Sequence, residues 1–485
     1  MTEAPAQRTG ISSLERVLFC LLMICFPLQI RKYIFSPGGF NEWSSFFVYL
    51  SDILFFLLCV LWAFRERPLT GAGVWKIFSA KNRPGFFSVL FLVVALCSAF
   101  VASSLSLALL GWVHVVEVFL FAWYIKRTIT TKEVGTASGF FVAGMVVQAV
   151  IGIFQFFMQH DLGLRLLKES ELAPALAGVA KIAAPGSPAM IRAYGLFPHP
   201  NIFAFFLTVA LFLLLYLFFE KNSVVLKPVA RSSPQKQTIL FGACGGVLLC
   251  ALLLTFSRVA FAGCVVFLAG FFFTVAAHSR RRDISPKALI LTAIFLGVGF
   301  LFPAIALRHE LADRMNISSE EQSVQLRSYY TAVAEGLIVA HPVLGVGVGH
   351  FVASYSDGES PLTYFSRSLP AEKAKDLVVD GMSKGWIYQP VHNLYLLIAS
   401  ETGILGIGLF VAVIVSAVGA FIKKRSTTSQ ADAPERKILY SIGRTMAFFL
   451  LLAFLFHGLF DHFFWTSQQG RLMAGFIFGI FFRFV

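Results

Sequence analysis

Three residues far apart in the chain, Arg192, Arg258 and His392, combine the chemistry of a phosphate site with that of a proton acceptor. Each stands where a long hydrophobic run meets a polar connection on the side opposite the Lys/Arg-rich loops. A charged or titratable group beside hydrocarbon is costly, so several gathered at one face mark a functional site. A guanidinium presents a planar fork that makes two parallel charge-assisted bonds to phosphate oxygens. An imidazole titrates near ~6.5 and can accept a proton at physiological pH. Two fixed cations and one such base suit chemistry on a lipid-linked phosphate.

The local sequence around each residue predicts how it is held. Arg192 opens a segment in which Gly195, Pro198 and Pro200 force a turn, followed by Asn201 at the start of a hydrophobic run. Arg258 follows Thr255-Phe256-Ser257 in a tight hairpin between two runs, which leaves it little room to swing away. Headgroup anchoring by snorkelling is the competing reading for both arginines. His392 and Asn393 stand at a helix start, where they could equally form a capping pair. Glu401, nine residues on, reads as a partner for a buried polar group.

Other polar groups lie at the same level. His457 and Asp461 are spaced i, i+4, a spacing able to bind a metal on one helix face. Two ligands without a third do not make a metal site, so no metal is expected. A polar floor for sugar hydroxyls, or a hydrogen-bonded helix clamp, is the preferred reading, with His462, Gln468, Gln469 and Arg471 nearby. Asp52 is an outer-half polar group able to pair with one of the arginines. The run Gly345-Val346-Gly347-Val348-Gly349 lacks the strand–helix context of a dinucleotide loop and reads as a turn.

The elements that position these residues are membrane helices. Of 485 residues, 57% are hydrophobic and 14% charged, with mean hydropathy +0.76, whereas a soluble domain carries about 25% charged residues. The net charge of +14 does not signal nucleic acid. Segments 65–85, 126–133, 220–237, 278–287 and 423–437 hold 21 of the 40 Lys and Arg against six acids, which accounts for the excess. Short basic loops between apolar runs mark a cytoplasmic face. All seven cysteines lie inside apolar runs, so disulfides are not expected.

Runs long enough for a hydrocarbon core about 30 Å thick number twelve. They lie near 14–34, 46–64, 86–102, 105–125, 136–158, 201–219, 238–255, 258–277, 287–307, 393–421, 440–464 and 468–485. The first is read as a retained helix, with both termini cytoplasmic. The expected organisation is residues 1–307 as helices one to nine with an outer loop at 159–200, residues 308–392 as a large outer loop, and residues 393–485 as helices ten to twelve. Within the large loop, Val324, Leu326, Tyr330, Val333, Leu337 and Ile338 recur at helical spacing and predict an amphipathic helix over 323–340. The Ser-, Asp-, Gly- and Lys-rich stretch 355–386 is read as mobile.

Arg192-x-x-Gly195-x-Phe197-x-x-Pro200-Asn201, Ser257-Arg258, the Pro342-to-Phe351 segment, and His392-Asn393 followed by Glu401-x-Gly403 occur in order. Over about residues 45–465 the chain resembles the O-antigen ligase/polymerase superfamily. The resemblance implies an all-α polytopic membrane protein of the GT-C type, with its large outer loop between helices nine and ten. It further implies a metal-independent inverting glycosyltransferase of the inner membrane, without cofactor, acting on undecaprenyl-diphosphate-linked glycans at the outer face. His392 would be the base, and Arg192 and Arg258 would hold the donor diphosphate. The acceptor would be lipid A-core or another cell-surface glycan, which makes the chain a ligase. A polymerase of the same superfamily and a polysaccharide or lipid transporter are the alternatives, although a transporter carries its polar site near the bilayer midplane. The expected partners are the lipid-linked glycan, the acceptor and the bilayer, not nucleic acid.

The topology has a direct test. A cysteine introduced at Ser356, in a background freed of the native thiols, should react with a membrane-impermeant maleimide in cells whose inner membrane is intact. Reaction only after that membrane is permeabilised reverses the orientation.

Overall fold

In a computed structural model of the chain, the described residues are 11–36, 40–66, 82–182, 188–222, 234–279, 304–315, 322–355, 388–423 and 434–485, with 290, 294, 297, 300 and 301 between them. The first helix, α1 (Ser13–Cys25), opens with a capping box: the Ser12 hydroxyl accepts from the Glu15 N–H, and the Glu15 carboxylate accepts from the Ser12 N–H. It is shorter than the expected span 14–34. Pro27 stops it, and the aromatic and β-branched residues beyond form a ribbon of β1 (Arg31–Phe35) and β2 (Phe46–Tyr49), with Arg31 opposite Tyr49. The second helix, α2 (Leu50–Glu66), therefore begins after residue 46. A second, minimal ribbon joins β3 (Lys181–Ile182) to β4 (Met190–Ile191), so the fold is mostly helical instead of all-α.

The bundle continues with α3 (Arg83–Ala99), α4 (Leu105–Thr128), α5 (Thr131–Met158), α6 (Pro200–Asn222), α7 (Pro234–Leu254) and α8 (Arg258–Ser279). Then come α9 (Arg308–Met315), α10 (Gln322–Ala340), α11 (Phe351–Tyr355), α12 (Leu394–Lys423), α13 (Pro434–Gly458), α14 (Phe463–Thr466) and α15 (Gln468–Arg483). Among the described residues, five helical stretches are long and apolar enough to cross a bilayer: Leu105–Thr128, Glu133–Met158, Pro200–Phe219, Leu394–Lys423 and Tyr440–Gly458. Shorter apolar helices cover Arg83–Ala99, Ile239–Leu254 and Arg258–Thr274. The chain is a polytopic membrane protein. The expected span 287–307 lies largely, and the stretch 356–386 wholly, outside the described residues. The expected span 440–464 ends early, at Gly458, where the chain leaves the helix before α14.

Salt bridges tie one end of the bundle together. Arg65 at the end of α2 meets Glu15 at 2.7 Å, and Arg16 of α1 meets Glu133 at the start of α5 at 3.6 Å. The basic segments 65–85 and 126–133 thus share an end with the start of α1. At the core stands α6, whose stretch Pro200–Phe219 is enclosed by protein along its whole length. A helix apolar on every face suits a protein core as well as lipid, and here α5, α7, α8 and α13 enclose it. A second enclosed helix, α15, lies along α4.

The helix expected in the large loop is α10, whose Tyr329, Tyr330 and Ala334 are buried in a satellite cluster with Phe351, Val391 and Leu397. Between α10 and α11 the glycine run forms turns, not a nucleotide loop. It fits against a break in α12, where Gly403 adopts φ 67° and ψ −172°. The break leaves backbone groups unpaired, and the turn satisfies them. Val346 N–H donates to the Ser400 carbonyl (2.9 Å), Gly347 N–H to the Glu401 carbonyl (3.0 Å), and Ile404 N–H to the Pro342 carbonyl (2.8 Å).

A Cβ at Gly403 would lie 2.1 Å from the Val343 carbonyl oxygen, on a backbone that side chains rarely adopt. Gly403→Ala should therefore cost on the order of several kcal/mol. Gly408→Ala, on the same helix with nothing within 4 Å of its Cβ, should be neutral or stabilising. Thermal unfolding of the two variants in detergent checks this, and equal melting temperatures would refute the seam.

Candidate active site

Opposite the salt-bridged end, the starts of α4, α6, α12 and α15, together with α14, surround a cavity of about 480 Å³. The β1–β2 ribbon and the residues leading into α11 complete its wall. His392 lines it, immediately before α12. The helix start itself is capped by Asn393, whose Oδ1 accepts from the Tyr395 N–H (2.9 Å) and Leu396 N–H (3.0 Å). Capping is thus the work of Asn393 alone, and the His392 ring is turned to other neighbours. It stacks on Tyr330 at 5.9 Å and meets the His462 ring edge-on at 4.9 Å. His462 in turn meets Trp43 edge-on at 5.1 Å, and its Nδ1 lies 2.8 Å from the Thr466 hydroxyl.

Electrostatics keep these imidazoles neutral. Burial lowers the His392 pKa well below 6.5, and His462, Arg327 and His199 all oppose a positive charge there. Its Nδ1 is buried and no group meets it with hydrogen-bond geometry, although the Pro390 backbone favours the protonated form. Burial likewise lowers His462 to about 4, despite Asp461 pulling the other way. A neutral imidazole facing a cavity is ready to accept a proton without first losing one.

Glu401 also lines the cavity, where its carboxylate is fully occupied. It accepts from the Gly349 N–H (2.7 Å), the Phe351 N–H (3.1 Å) and Trp465 Nε1 (2.7 Å). The glycine turn is fixed at its other side by Val348 N–H donating to Ser98 Oγ (3.2 Å) and Ser104 N–H donating to His350 Nε2 (3.0 Å). Glu401 thereby positions the wall beside His392.

Neither Arg192 nor Arg258 lines the cavity, although both belong to the junction around the α7–α8 turn. Arg192 is buried, with Nε donating to the Thr255 carbonyl and a terminal nitrogen to Asn201 Oδ1 (2.8 Å). Its guanidinium is therefore turned into the α7–α8 turn instead of across the bundle mouth. Arg258 begins α8 from that same turn. The link to the cavity is His199, which lines it, influences His392, and accepts the Asn201 N–H at Nδ1 (3.2 Å).

The remaining expectations divide. Asp461 lines the cavity, with Oδ1 accepting the His462 N–H (2.8 Å). His457 faces elsewhere: its Nδ1 meets the Ala453 carbonyl (2.8 Å) and its ring packs on Phe205 at 4.6 Å. The two do not share a helix face, because the helix ends at Gly458 between them. Asp52 caps α2 by accepting the Tyr49 N–H (2.8 Å), and bonds neither Arg192 nor Arg258. Sequence reasoning missed Trp43, Arg31, Glu42 and His199 on the wall. The signal was there for the first three: Arg31-Lys32 and Glu42 are charges that an uninterrupted span would not carry.

Residues 243–411, from α7 to the middle of α12, match the family model described as O-antigen ligase. The match supports the O-antigen ligase/polymerase superfamily, and its range includes Arg258, the glycine turn, His392 and Glu401 but not Arg192. No curated protein matches the chain.

Neutral burial of His392 and His462 links stability to pH. The unfolded chain protonates histidine near ~6.5 while the folded protein resists it, so this contribution is complete above about 6.5 and is lost as pH falls towards about 4. The melting temperature in detergent should fall across this window, and less steeply in His462→Gln. An identical slope in that variant would show that His462 does not carry the linkage.

Proposed function

We propose that the chain is a ligase-type glycosyltransferase that moves a glycan from undecaprenyl diphosphate to an acceptor hydroxyl at the outer face of the inner membrane. The observation carrying this reading is the neutral His392 imidazole facing the cavity where the large loop rejoins the bundle. In the proposed reaction, His392 takes the proton from the acceptor hydroxyl as its oxygen attacks the anomeric carbon. The bond from that carbon to the diphosphate oxygen breaks, and its electron pair leaves with the diphosphate. Direct displacement inverts the anomeric configuration.

A lipid diphosphate is already a good leaving group, so catalysis needs charge stabilisation and a base more than covalent chemistry. Arg192 and Arg258 are assigned to the diphosphate. In support, Arg192 is bonded to the turn from which Arg258 starts, so one anion could meet both. Their fixed charge replaces the metal that many nucleotide-sugar transferases use. The GT-C architecture with twelve spans, the outward large loop and cytoplasmic termini belong to the same proposal. Within this superfamily a polymerase would run the same chemistry onto a second lipid-linked repeat.

Reconstitution with a defined lipid-linked glycan, followed by gel analysis, separates the outcomes. One transferred block on a distinct acceptor marks a ligase, and a ladder of repeats marks a polymerase. His392→Ala should lower turnover by about 10²–10⁴ while donor binding persists. Arg192→Lys and Arg258→Lys should each fail to restore full turnover, because an ammonium lacks the planar fork. Wild-type activity should survive chelation by EDTA. Normal turnover in His392→Ala would remove the base from this account.

A further inference from the structure

The cavity is built for something other than phosphate. Its formal charges are Arg31 and Arg471 against Glu42, Glu401 and Asp461, so acids outnumber cations on its wall. Neither arginine is poised for an anion. Arg31 is held in a two-point pair by Glu42, one bond at 3.0 Å, with its guanidinium 4.0 Å above the Phe47 ring. Arg471 spends its donors on Gln468 Oε1 and the carbonyls of Trp465 and Thr466. The arginines assigned to the diphosphate lie outside this wall.

Two donors are left over. Among the described residues, Gln29 Nε2 and Gln469 Nε2 are buried without hydrogen-bond partners, in side chains 8% and 2% exposed that both line the cavity. Buried amides normally find acceptors, and both of these side chains belong to the cavity wall. They come from different elements, Gln29 from the approach to β1 and Gln469 from the first turn of α15. Trp43 lines the same cavity, in edge contact with His462, which is in edge contact with His392. Amide donors, fixed carboxylates and an indole form a wall for a ligand with many hydroxyls and apolar ring faces.

We infer that the wall formed by the β1–β2 ribbon, Glu42, Trp43, Gln29 and Gln469 is a binding subsite for a neutral, hydroxyl-rich saccharide, the acceptor end of the transfer. The inference rests on the proposed glycosyl transfer for the word acceptor, but the subsite itself is a matter of binding. Gln29 and Gln469 donate to ring hydroxyls, the Glu42 and Asp461 carboxylates accept from them, and Trp43 lines the same cavity. The volume of about 480 Å³ is within the range of roughly 300–1,000 Å³ typical of small-ligand sites.

The test uses the full chain in lipid nanodiscs and saturation-transfer NMR, with maltotetraose and chitotetraose as neutral probes and inorganic pyrophosphate as competitor. At least one oligosaccharide should receive saturation from the protein, and pyrophosphate should not displace it. Gln469→Leu and Gln29→Leu, nearly isosteric and on separate elements, should each weaken binding about tenfold, equivalent to 1.4 kcal/mol. In the transfer assay each should raise KM for the acceptor by a similar factor with KM for the lipid-linked donor unchanged. Displacement by pyrophosphate, undiminished binding in whichever variant folds, or silence from both oligosaccharides would overturn the subsite. Wild-type protein that binds oligosaccharide yet transfers nothing would sink the transfer reading and leave the subsite standing. Normal transfer with unchanged acceptor KM in the variants would do the reverse.

Discussion

The carboxylate of Glu401 and the helix break beside it hold the cavity end of this molecule together. A buried charge is tolerable only where donors surround it, and Glu401 receives two backbone amides and an indole N–H. Those three donors come from the glycine turn and from α14, so one side chain fastens α12 to two separate parts of the chain. The break at Gly403 extends the same seam, because the carbonyls it releases are taken by amides of Val346 and Gly347. A regular helix would have kept those carbonyls for itself. The turn would then have had no edge to bind, and the wall next to His392 no reason to stand where it does.

From that seam the division of labour follows. Glu401 is saturated with donors and positions the turn, whereas the His392 ring lines the cavity and its buried Nδ1 meets no described residue with hydrogen-bond geometry. The histidine cluster is kept neutral mainly by burial, with Arg327 opposing protonation of both rings. Arg192 lies outside the wall and connects to it through Asn201 and His199. The geometry keeps Arg192 and Arg258 off the wall of a polar cavity in which acids outnumber cations, with His392 on the cavity side.

Much of the bundle was legible because hydrocarbon imposes a simple rule: a long apolar run with basic flanks is a helix. The helix over 322–340 was legible for a related reason, its apolar stripe recurring at 3.6-residue spacing. The β1–β2 ribbon was not, since Phe, Tyr and Val are as apolar in a strand as in a helix and hydropathy alone cannot tell them apart. His392 and Glu401 stood out as polar groups at a helix start, but their different jobs depend on partners about fifty residues or more away in sequence, such as Gly349 and His462. His457 and Asp461 misled because an i, i+4 spacing has meaning only while the helix continues, and this one stops at Gly458.

The enclosure of α6 bears on how the protein is made. Residues Pro200–Phe219 enter the bilayer on their own hydropathy, as a segment that lipid would accept on every side. In the finished protein lipid reaches none of that stretch. The neighbours must therefore gather around it after insertion, and the phenylalanines that carry it into the membrane become the surface on which they assemble. Some of those neighbours, α8 and α13, are synthesised only later. The helix that carries His199 and Asn201 near its start thus waits, lipid-bathed, for the end of its own chain, and the site takes its shape last.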